Sequence, residues 1–175
     1  MSVNQQLAPN MLATLAEVAK TGSAADASSL FSAVDRCLRQ VLQHTLCTVN
    51  RYDPNGDILT RLYSSDPVTY PPGGSKKKSG TSWGKQVLHD KQVFIGEGES
   101  AIRQSFDDHN TIRSLGLRSV INIPVVSRGV CLGTLNFLMT TEKVEPAMVQ
   151  WAQLAGLLVT PGFLDLPAGR HKLID

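Results

Sequence analysis

Two apolar runs separated by a glycine turn decide the fold, and they lie in LGLRSVINIPVVSRGVCLGTLNFLM, residues 115–139. The runs Arg118 to Val126 and Val130 to Met139 are rich in aliphatic and β-branched residues, which favour strands. Between them, the tripeptide Ser-Arg-Gly (127–129) predicts a three-residue hairpin loop in which Gly129 adopts a positive φ. The stretch therefore predicts an antiparallel hairpin.

Side chains alternate along a strand, so this hairpin has two predicted faces of different character. The wholly apolar face suits packing against long helices and comprises Ile121, Ile123, Val125, Cys131, Gly133, Leu135, Phe137 and Met139. The opposite face comprises Val120, Asn122, Pro124, Leu132, Thr134, Asn136 and Leu138. Because a ligand pocket needs a few convergent polar groups on mostly apolar walls, Asn122, Thr134 and Asn136 mark the second face as the predicted pocket.

These predicted pocket residues have a second interpretation that the sequence leaves open. A buried amide without a partner costs about 1–3 kcal/mol, so Asn122, Thr134 and Asn136 could instead satisfy backbone groups of the covering loops. Trp83 and Phe106 are candidate flat walls of the pocket, or else ordinary core residues, since aromatic side chains dominate core burial.

The rest of the chain predicts helices at both ends and a second hairpin. Apolar residues at helical spacing predict a helix from about Pro9 to Lys20, ended by Gly22, and another that begins at the capping region 26–28. Leu46 to Tyr52 and Ile58 to Tyr63 predict strands joined by Asp-Pro-Asn-Gly, which is typical of turns. A final helix has Pro146 in its first turn.

The middle of the chain is predicted to be less regular. Residues 64–79 contain three prolines, two glycines and three lysines, which predicts a long mobile loop. A short helix capped by Thr81 or Ser82 runs through His89, and a strand at 92–95 is broken by the Gly-Glu-Gly-Glu of 96–99. A second short helix, capped by Asp107 or Asp108, ends at Gly116.

Composition narrows the class of protein. The chain has 175 residues, 42% hydrophobic and 18% charged, with a net charge of +2 and three cysteines, which excludes disordered, coiled-coil and disulfide-scaffold proteins. A protein that binds nucleic acid or a membrane would show a concentrated basic face, whereas the basic cluster here is Lys76, Lys77 and Lys78. That cluster is either solvated or contacts an anionic ligand near a helix start.

The expected compartment is the cytoplasm, with reduced thiols. The first residues, Met-Ser-Val-Asn-Gln-Gln, lack the basic and apolar segments of a secretory signal. The uncharged stretch 146–164 contains Gln150, Gln153, Gly156 and Pro161, and it is interpreted as an amphipathic helix of a soluble protein rather than a membrane span.

The motifs together resemble a GAF domain, the small-molecule sensor module related to PAS domains. The resemblance rests on residues 115–137, on GTSWGKQV at 80–87 and on KQVFI at 91–95. It implies an α+β fold with a five- to six-stranded antiparallel sheet, long N- and C-terminal helices on one face, and short helices and loops on the other. The implied organisation is a helical extension at 1–24, a GAF domain at 25–163 and a tail at 164–175.

The resemblance also allows catalytic alternatives to be weighed. Free methionine sulfoxide reductases use cysteines on this fold, one at the start of the helix after the long loop and others shortly before the strand 118–126. In this chain the first region has Trp83, and residues 112–117 form the second region without a cysteine. No cysteine lies between Cys47 and Cys131, so thiol chemistry is disfavoured. Bilin attachment and the cyclic-nucleotide signature are not recognisable. His44 with Cys47, and the Asp-Asp-His of 107–109, lack the paired spacing of a zinc site.

The sequence therefore predicts a stand-alone, non-catalytic GAF sensor for an unidentified small molecule, with no cofactor identified. Its signal would pass through a separate signalling protein or through a homodimer formed by the terminal helices. A structural dimerisation or scaffold module without a ligand is the alternative, and a thiol redox enzyme the third hypothesis. The first helix carries an apolar stripe for dimer contact or for packing against the final helix, formed by Leu7, Met11, Leu15 and Val18.

Overall fold

Two helices precede the sheet. The computed structural model describes residues 4–24 and 26–164, with side chains from residue 10 onward except in residue 24. Helix α1 spans Asn4–Ala24 and α2 spans Ala27–Leu42. Asp26 caps α2 as predicted, because its carboxylate accepts a hydrogen bond from the Ser29 backbone N–H at 2.9 Å. Helix α1 is longer than predicted, since it continues through Gly22.

A single antiparallel sheet of six strands forms the centre of the domain. Its spatial order is β3-β2-β1-β6-β5-β4, so the N-terminal and C-terminal hairpins lie side by side through β1 and β6. The strands are β1 (Leu46–Asp53), β2 (Ile58–Ser64), β3 (Ser75–Lys77), β4 (Phe94–Glu97), β5 (Ser119–Ser127) and β6 (Val130–Met139).

Short helices connect the strands, and two further helices follow β6. Helix α3 (Ser82–Gly84) continues into a π-helical turn (Lys85–His89). Together they span the short helix that the sequence predicts from Thr81 or Ser82 through His89. The others are α4 (Gly98–Ser105), α5 (His109–Ser114), α6 (Pro146–Val159) and α7 (Pro161–Leu164).

The two faces of the sheet have separate cores. The larger core packs one face against α1, α2 and α6, and it includes Phe31, Leu38, Ile121, Leu135 and Phe137. The opposite face is covered by the segment around β3 and by α3, α4 and α5, with two smaller apolar clusters. The predicted α+β fold, with a six-stranded antiparallel sheet between long and short helices, is confirmed.

The segment 64–79 is not simply a loop, which corrects the prediction. Ser75–Lys77 forms β3, which pairs with Ile58–Thr60 at the edge of the sheet. The backbone of Arg61 adds two hydrogen bonds of 2.8 Å, one to Gly73 and one to Gly74. This pairing is a tertiary contact, so a Pro- and Gly-rich composition does not reveal it.

The central hairpin differs from the prediction in the length of its turn and in the sheet face on which two of its side chains lie. Ser127 pairs with Val130, so the loop has two residues, with φ of 49° at Arg128 and 78° at Gly129. Two positive φ values are typical of a type I′ turn. A β-bulge then leaves Leu132 without a partner, because Val126 pairs with Cys131 and Val125 with Gly133.

The bulge exchanges the predicted faces of two residues. Cys131 packs with Trp83 and Val87 on the face of the short helices, and Leu132 packs against the core beneath the long helices. Beyond the bulge the alternation is as predicted, with Ile121, Leu135 and Phe137 toward the long helices.

Strand β4 also extends further than predicted, because Gly96 does not break it. Gly96 pairs with Val120, and a Cβ there would lie 2.9 Å from a methyl carbon of Val120. The glycine thus permits a close approach within the sheet. The unpredicted helix α4 begins immediately afterwards at Gly98, whose φ is +80°.

The apolar stripe on α1 packs against the protein's own core. Met11 and Val18 are buried in the large core, where α1 packs mainly on α2 rather than on the final helix that was predicted. Leu15 is partly buried there, and the side chain of Leu7 lies outside the described residues.

One apolar stretch in the described chain, Pro146–Leu164, has the length and hydropathy of a membrane-spanning helix, at 19 residues and a mean hydropathy of 1.3. The stretch comprises α6 and α7, and it buries Ala152, Ala155, Gly156 and Val159 in the protein core.

Candidate functional site

A pocket lies on the sheet face opposite the long helices, where the sequence predicts it. Strands β1, β2, β5 and β6 form its floor, and β3, α3 and the start of α5 form its walls. The pocket is half open, and its cavity volume is about 80 Å³. A cavity of this size accommodates a small ligand rather than a macromolecular segment.

A polar ladder crosses the floor of the pocket. Asn122 on β5 lies directly opposite Asn136 on β6, which in turn lies opposite Thr48 on β1. This register brings three polar side chains into one row on an otherwise apolar surface, since neighbours across antiparallel strands have their Cβ atoms about 5 Å apart.

The ladder is joined by a continuous chain of hydrogen bonds. The indole Nε1 of Trp83 donates to Asn122 Oδ1 at 2.8 Å, and Asn122 Nδ2 donates to Asn136 Oδ1 at 2.8 Å. Asn136 Nδ2 then donates to Thr48 Oγ1 at 3.0 Å and to Thr134 Oγ1 at 3.2 Å. The amides therefore bond mainly to other side chains rather than to the backbone of covering loops.

Thr134 lies beside this row, two residues from Asn136 on the same face of β6, and is not among the residues that line the cavity. It is fully buried, and its hydroxyl accepts hydrogen bonds from Asn136 and, at 3.1 Å, from Asn50. Of the five predicted site residues, Asn122, Asn136, Trp83 and Phe106 line the cavity, and Thr134 is hydrogen-bonded to Asn136. Whether any of them contacts a ligand stays a prediction.

Trp83 and Phe106 form an aromatic wall. Their rings meet edge to face with centroids 6.4 Å apart, and both also pack into the apolar cluster beneath α3. The start of α3 is fixed by Thr81, whose hydroxyl accepts from the Gly84 N–H at 2.9 Å. Gly84 permits a close approach, because a Cβ there would lie 2.5 Å from the Lys78 carbonyl oxygen.

Another part of the lining is cationic; sequence reasoning offered its lysines as a ligand contact in one of two interpretations, and it missed Arg61. Lys76 and Lys78 both face the cavity, whereas Lys77 is exposed, as expected of alternate residues along β3 and its extension. Arg61 on β2 joins them. The interpretation of the lysines as solvated loop charges therefore applies only to Lys77.

Lys76 and Lys78 differ in how their charges are balanced. Lys76 Nζ lies 2.8 Å from Asp108 Oδ1, a close ion pair. Lys78, only 6% exposed, has its nearest carboxylate at 3.9 Å on Asp107, and its Nζ lies 5.5 Å from the ring centroid of Trp83. Burial lowers the pKa of Lys78, and the adjacent charge of Lys76 lowers it further.

Two polar atoms of the pocket residues are buried without hydrogen-bond partners. They are Nε of Arg61 and the hydroxyl of Tyr70. The guanidinium donates through Nη1 to the Pro71 carbonyl at 3.0 Å and stacks 5.1 Å above the Tyr70 ring. Burial raises the pKa of Tyr70, and the negative charge of Asp108 raises it further, so the phenol keeps its proton.

A signal for part of this wall was present in the sequence. Leu59 and Arg61 are two residues apart on one predicted strand. Their side chains are therefore expected on the same face of the sheet, which places a cation beside an apolar residue. Tyr70 had no such signal, because its position depends on how the 64–74 segment folds back over the sheet.

A second cationic depression, with a larger volume of about 230 Å³, lies outside this pocket, beside α4 and α5. Arg103, His109, Arg113 and Arg118 line it together with Glu99. Its arginines are exposed, and two of them are paired, Arg113 with Glu99 at 3.2 Å and Arg118 with Glu142 at 2.5 Å.

A buried polar cluster lies on the other face of the sheet, under the long helices. The Asp35 carboxylate accepts from Tyr63 at 2.7 Å and from Arg39 at 3.1 Å, and it lies 2.6 Å from His44 Nε2. Burial raises the pKa of Asp35, but the hydrogen bonds from His44 and Tyr63 outweigh it, so the net pKa is lowered.

This cluster brings Cys47 close to His44, the pair considered above for a metal. One donor atom each of Asp35, His44 and Cys47 lies within 4.8 Å of the others. Because the carboxylate is already hydrogen-bonded by side chains of three residues, the arrangement is explained as a structural network that fastens α2 to β1 and β2.

The three cysteines are buried and are not placed for redox chemistry. Burial raises the pKa of Cys37, Cys47 and Cys131, and Asp35 adds to the effect at Cys47, so each is a thiol at neutral pH. Cys131 packs on the pocket side of the sheet, whereas Cys37 and Cys47 pack in the other core. None of them is among the residues that line the pocket.

Similar solved structures identify the fold. A GAF domain from an Acinetobacter phosphoenolpyruvate-protein phosphotransferase superposes with a TM-score of 0.69 at 13% identity, covering 88% of this chain and 92% of that one. A GAF domain of the corresponding Coxiella burnetii protein has a TM-score of 0.69 at 17% identity, with 88% and 93% covered. The chain has the GAF fold.

A further structure of this shape is the chromophore-binding domain of a bacteriophytochrome from R. palustris, with a TM-score of 0.60 at 10% identity, covering 91% of this chain and 61% of that one. No family model matches the sequence, and no curated protein matches it. At these levels of identity the likeness shows the fold.

Proposed function

We propose that this GAF domain is a non-catalytic sensor that binds a small molecule non-covalently in the pocket between the sheet and the β3–α3 layer. The observation that carries the proposal is a half-open pocket with a hydrogen-bonded polar floor, aromatic and cationic side chains in its lining, and two unpartnered polar atoms on lining residues. Such a combination of apolar enclosure with few convergent polar groups is typical of ligand sites. The R. palustris domain of the same fold, described as chromophore-binding, supports a ligand at this module.

The cover of the pocket offers a way for the ligand to produce a signal. Strand β3 has three residues, is at the sheet edge and pairs with β2 alone. A ligand that contacts both the floor and β3 would stabilise the closed arrangement over an open one, because a ligand shifts an equilibrium by its differential affinity. We propose that a separate signalling protein or a homodimer of the domain responds to this change in the cytoplasm, without nucleic acid or membrane contact.

A thermal-shift screen of small metabolites tests the proposal. Asn136→Leu removes the centre of the floor ladder, and hits on the wild type are expected to lose their shift in this variant. Asp35→Asn is the control, because it disturbs the opposite face of the sheet and is also expected to lower the melting temperature. Hits that persist at full strength in Asn136→Leu, or that disappear equally in both variants, would contradict the pocket.

A structural dimerisation module is the second candidate, and exposed apolar residues favour it. Leu12 of α1 is 71% exposed and Leu157 of α6 is 69% exposed. Deleting α1 is not a clean test, because Met11 and Val18 belong to the core. Sedimentation of the wild type and of Leu157→Glu is preferable, with Val68→Glu as a control on an exposed loop; a wild-type monomer would remove this candidate.

A further inference from the structure

The lining of the pocket carries an excess of positive charge. Arg61, Lys76 and Lys78 contribute three cations, and Asp108 is the carboxylate that lines the cavity with them. Since Lys76 and Asp108 form an ion pair, the excess charge belongs to Arg61 and Lys78. A buried cation is unfavourable without a counter-charge, so an uncompensated pair of cations around one cavity calls for an explanation.

The existing partners of Lys78 compensate its charge only in part, although Asp107 and Asp108 both act favourably on it. Its ammonium lies 3.9 Å from a carboxylate oxygen of Asp107, beyond hydrogen-bonding distance, and that side chain is 91% exposed and hence well hydrated. The Trp83 ring provides a cation–π contact at 5.5 Å, which balances part of the cost.

Arg61 is in a comparable situation on the β2 side. Among the described residues, no carboxylate lies within 4 Å of its guanidinium, and its Nε–H has no acceptor. The Tyr70 hydroxyl, on the ring beneath the guanidinium, makes no close hydrogen bond, and its interaction is with the nearby Asp108 carboxylate. Three donor groups on the walls of one cavity are thus unsatisfied or weakly paired.

We propose that the ligand of this pocket is a small anion, a carboxylate or a phosphate monoester, whose charged group is bound by Lys78 and Arg61 with the Tyr70 hydroxyl as an additional donor. Its uncharged part is flat and lies against the Trp83 and Phe106 wall. This inference rests on the proposed function, and it specifies the ligand class of the same site. Carboxylate and phosphate share the chemistry that these donors recognise, since both accept several charge-assisted hydrogen bonds.

Matched probes that differ only in charge test the ligand class on the full chain. Benzoate is compared with benzamide, and phenyl phosphate with phenol, by isothermal titration calorimetry up to about 10 mM, which detects millimolar affinity. At least one anion is expected to bind about 10-fold or more tightly than its neutral counterpart, because hydrogen bonds to a charged partner are the stronger kind. The anion that binds also identifies the source, carboxylate or phosphate.

Variants then assign the binding to this pocket. Lys78→Met and Arg61→Met are expected to weaken the anion about 10-fold or more and to leave the neutral probe nearly unchanged. Lys77→Met is the matched control on the outer side of β3, and Arg103→Met is the control for the second depression beside α4. Both controls are expected to bind the anion as the wild type does.

The outcomes separate this inference from the proposed function. Equal binding of anion and neutral probe, lost in Asn136→Leu, would overturn the anion class and keep the sensor proposal. Anion binding that survives in both pocket variants, or that disappears with Arg103→Met, would overturn the assignment to Lys78 and Arg61. Absence of binding by every anion would overturn the inference as well, while neutral hits in the thermal-shift screen would still support a sensor.

Discussion

At the scale of single residues, Lys78 is the most informative side chain. It alternates with the exposed Lys77, and it packs against Trp83 under the loop that begins α3. A charge in this position costs stability in the unliganded protein, because the ammonium gives up water without gaining a close carboxylate.

Replacing Lys78 is therefore expected to make the unliganded protein more stable. Lys78→Met keeps the apolar stem and removes the buried charge, which should raise the free energy of unfolding by about 1 kcal/mol. Urea denaturation measures the change, with Lys77→Met as a control that should be neutral. A destabilised Lys78→Met protein would show that the ammonium is already well compensated.

Asp35 is the residue whose ionisation should matter most to the long-helix face. Asp35→Asn is expected to lower the free energy of unfolding at neutral pH by about 2 kcal/mol, because a buried charge-assisted network loses its acceptor. Urea denaturation of both proteins gives the difference.

The pH dependence of that difference follows from the lowered pKa of Asp35 in the folded protein. Its contribution is fully present above the ordinary value of 3.8 and is lost as the pH falls through the folded pKa. The stability gap between wild type and Asp35→Asn should thus shrink below about pH 3.8. A gap independent of pH would contradict the network.

At the scale of elements, the contact between β6 and β1 depends on a glycine. A Cβ on Gly133 would meet the backbone carbonyl oxygen of Asn50, and it would lie 2.6 Å from a ring carbon of Phe163. Because strand backbone cannot yield as a flexible side chain can, the small residue is required where the two hairpins join.

Gly133→Ala is expected to destabilise the protein by about 2 kcal/mol or more. Gly22→Ala is the matched control, since the nearest atom there is a Leu30 methyl at 3.3 Å and helix α1 favours alanine. Its effect should stay within about 1 kcal/mol. Equal effects of the two substitutions in urea denaturation would argue against the tight hairpin junction.

The elements also show how far the sequence determines the fold. The central hairpin was predictable because its alternation spans two long strands, and the same alternation placed Asn122 and Asn136 on the pocket face. The bulge at Leu132 was not predictable, because one extra residue moves the side chains of Cys131 and Leu132 to the opposite faces of the sheet without altering the composition of the strand. Strand β3 and the closure of residues 64–74 over Arg61 depend on tertiary pairing, so the sequence could not show that Arg61 and Tyr70 join the lysines at one cavity.

At the scale of the whole molecule, the sheet separates two kinds of interior. One face packs a mainly apolar core, which includes residues of α1 and the buried Asp35 network, and the other carries a polar pocket floor beside weakly paired cations. The separation explains why substitutions such as Asp35→Asn and Asn136→Leu should have different consequences for binding although both lie in one small domain.

The most direct test of the pocket is a crystal structure of the full chain with the tightest-binding anion among the probes. The anionic group is expected within hydrogen-bonding distance of Lys78 and Arg61, with its ring against Trp83 and Phe106 above Asn136. Density for that anion in the depression beside α4, or its charged group turned away from Lys78 and Arg61, would contradict the proposed site.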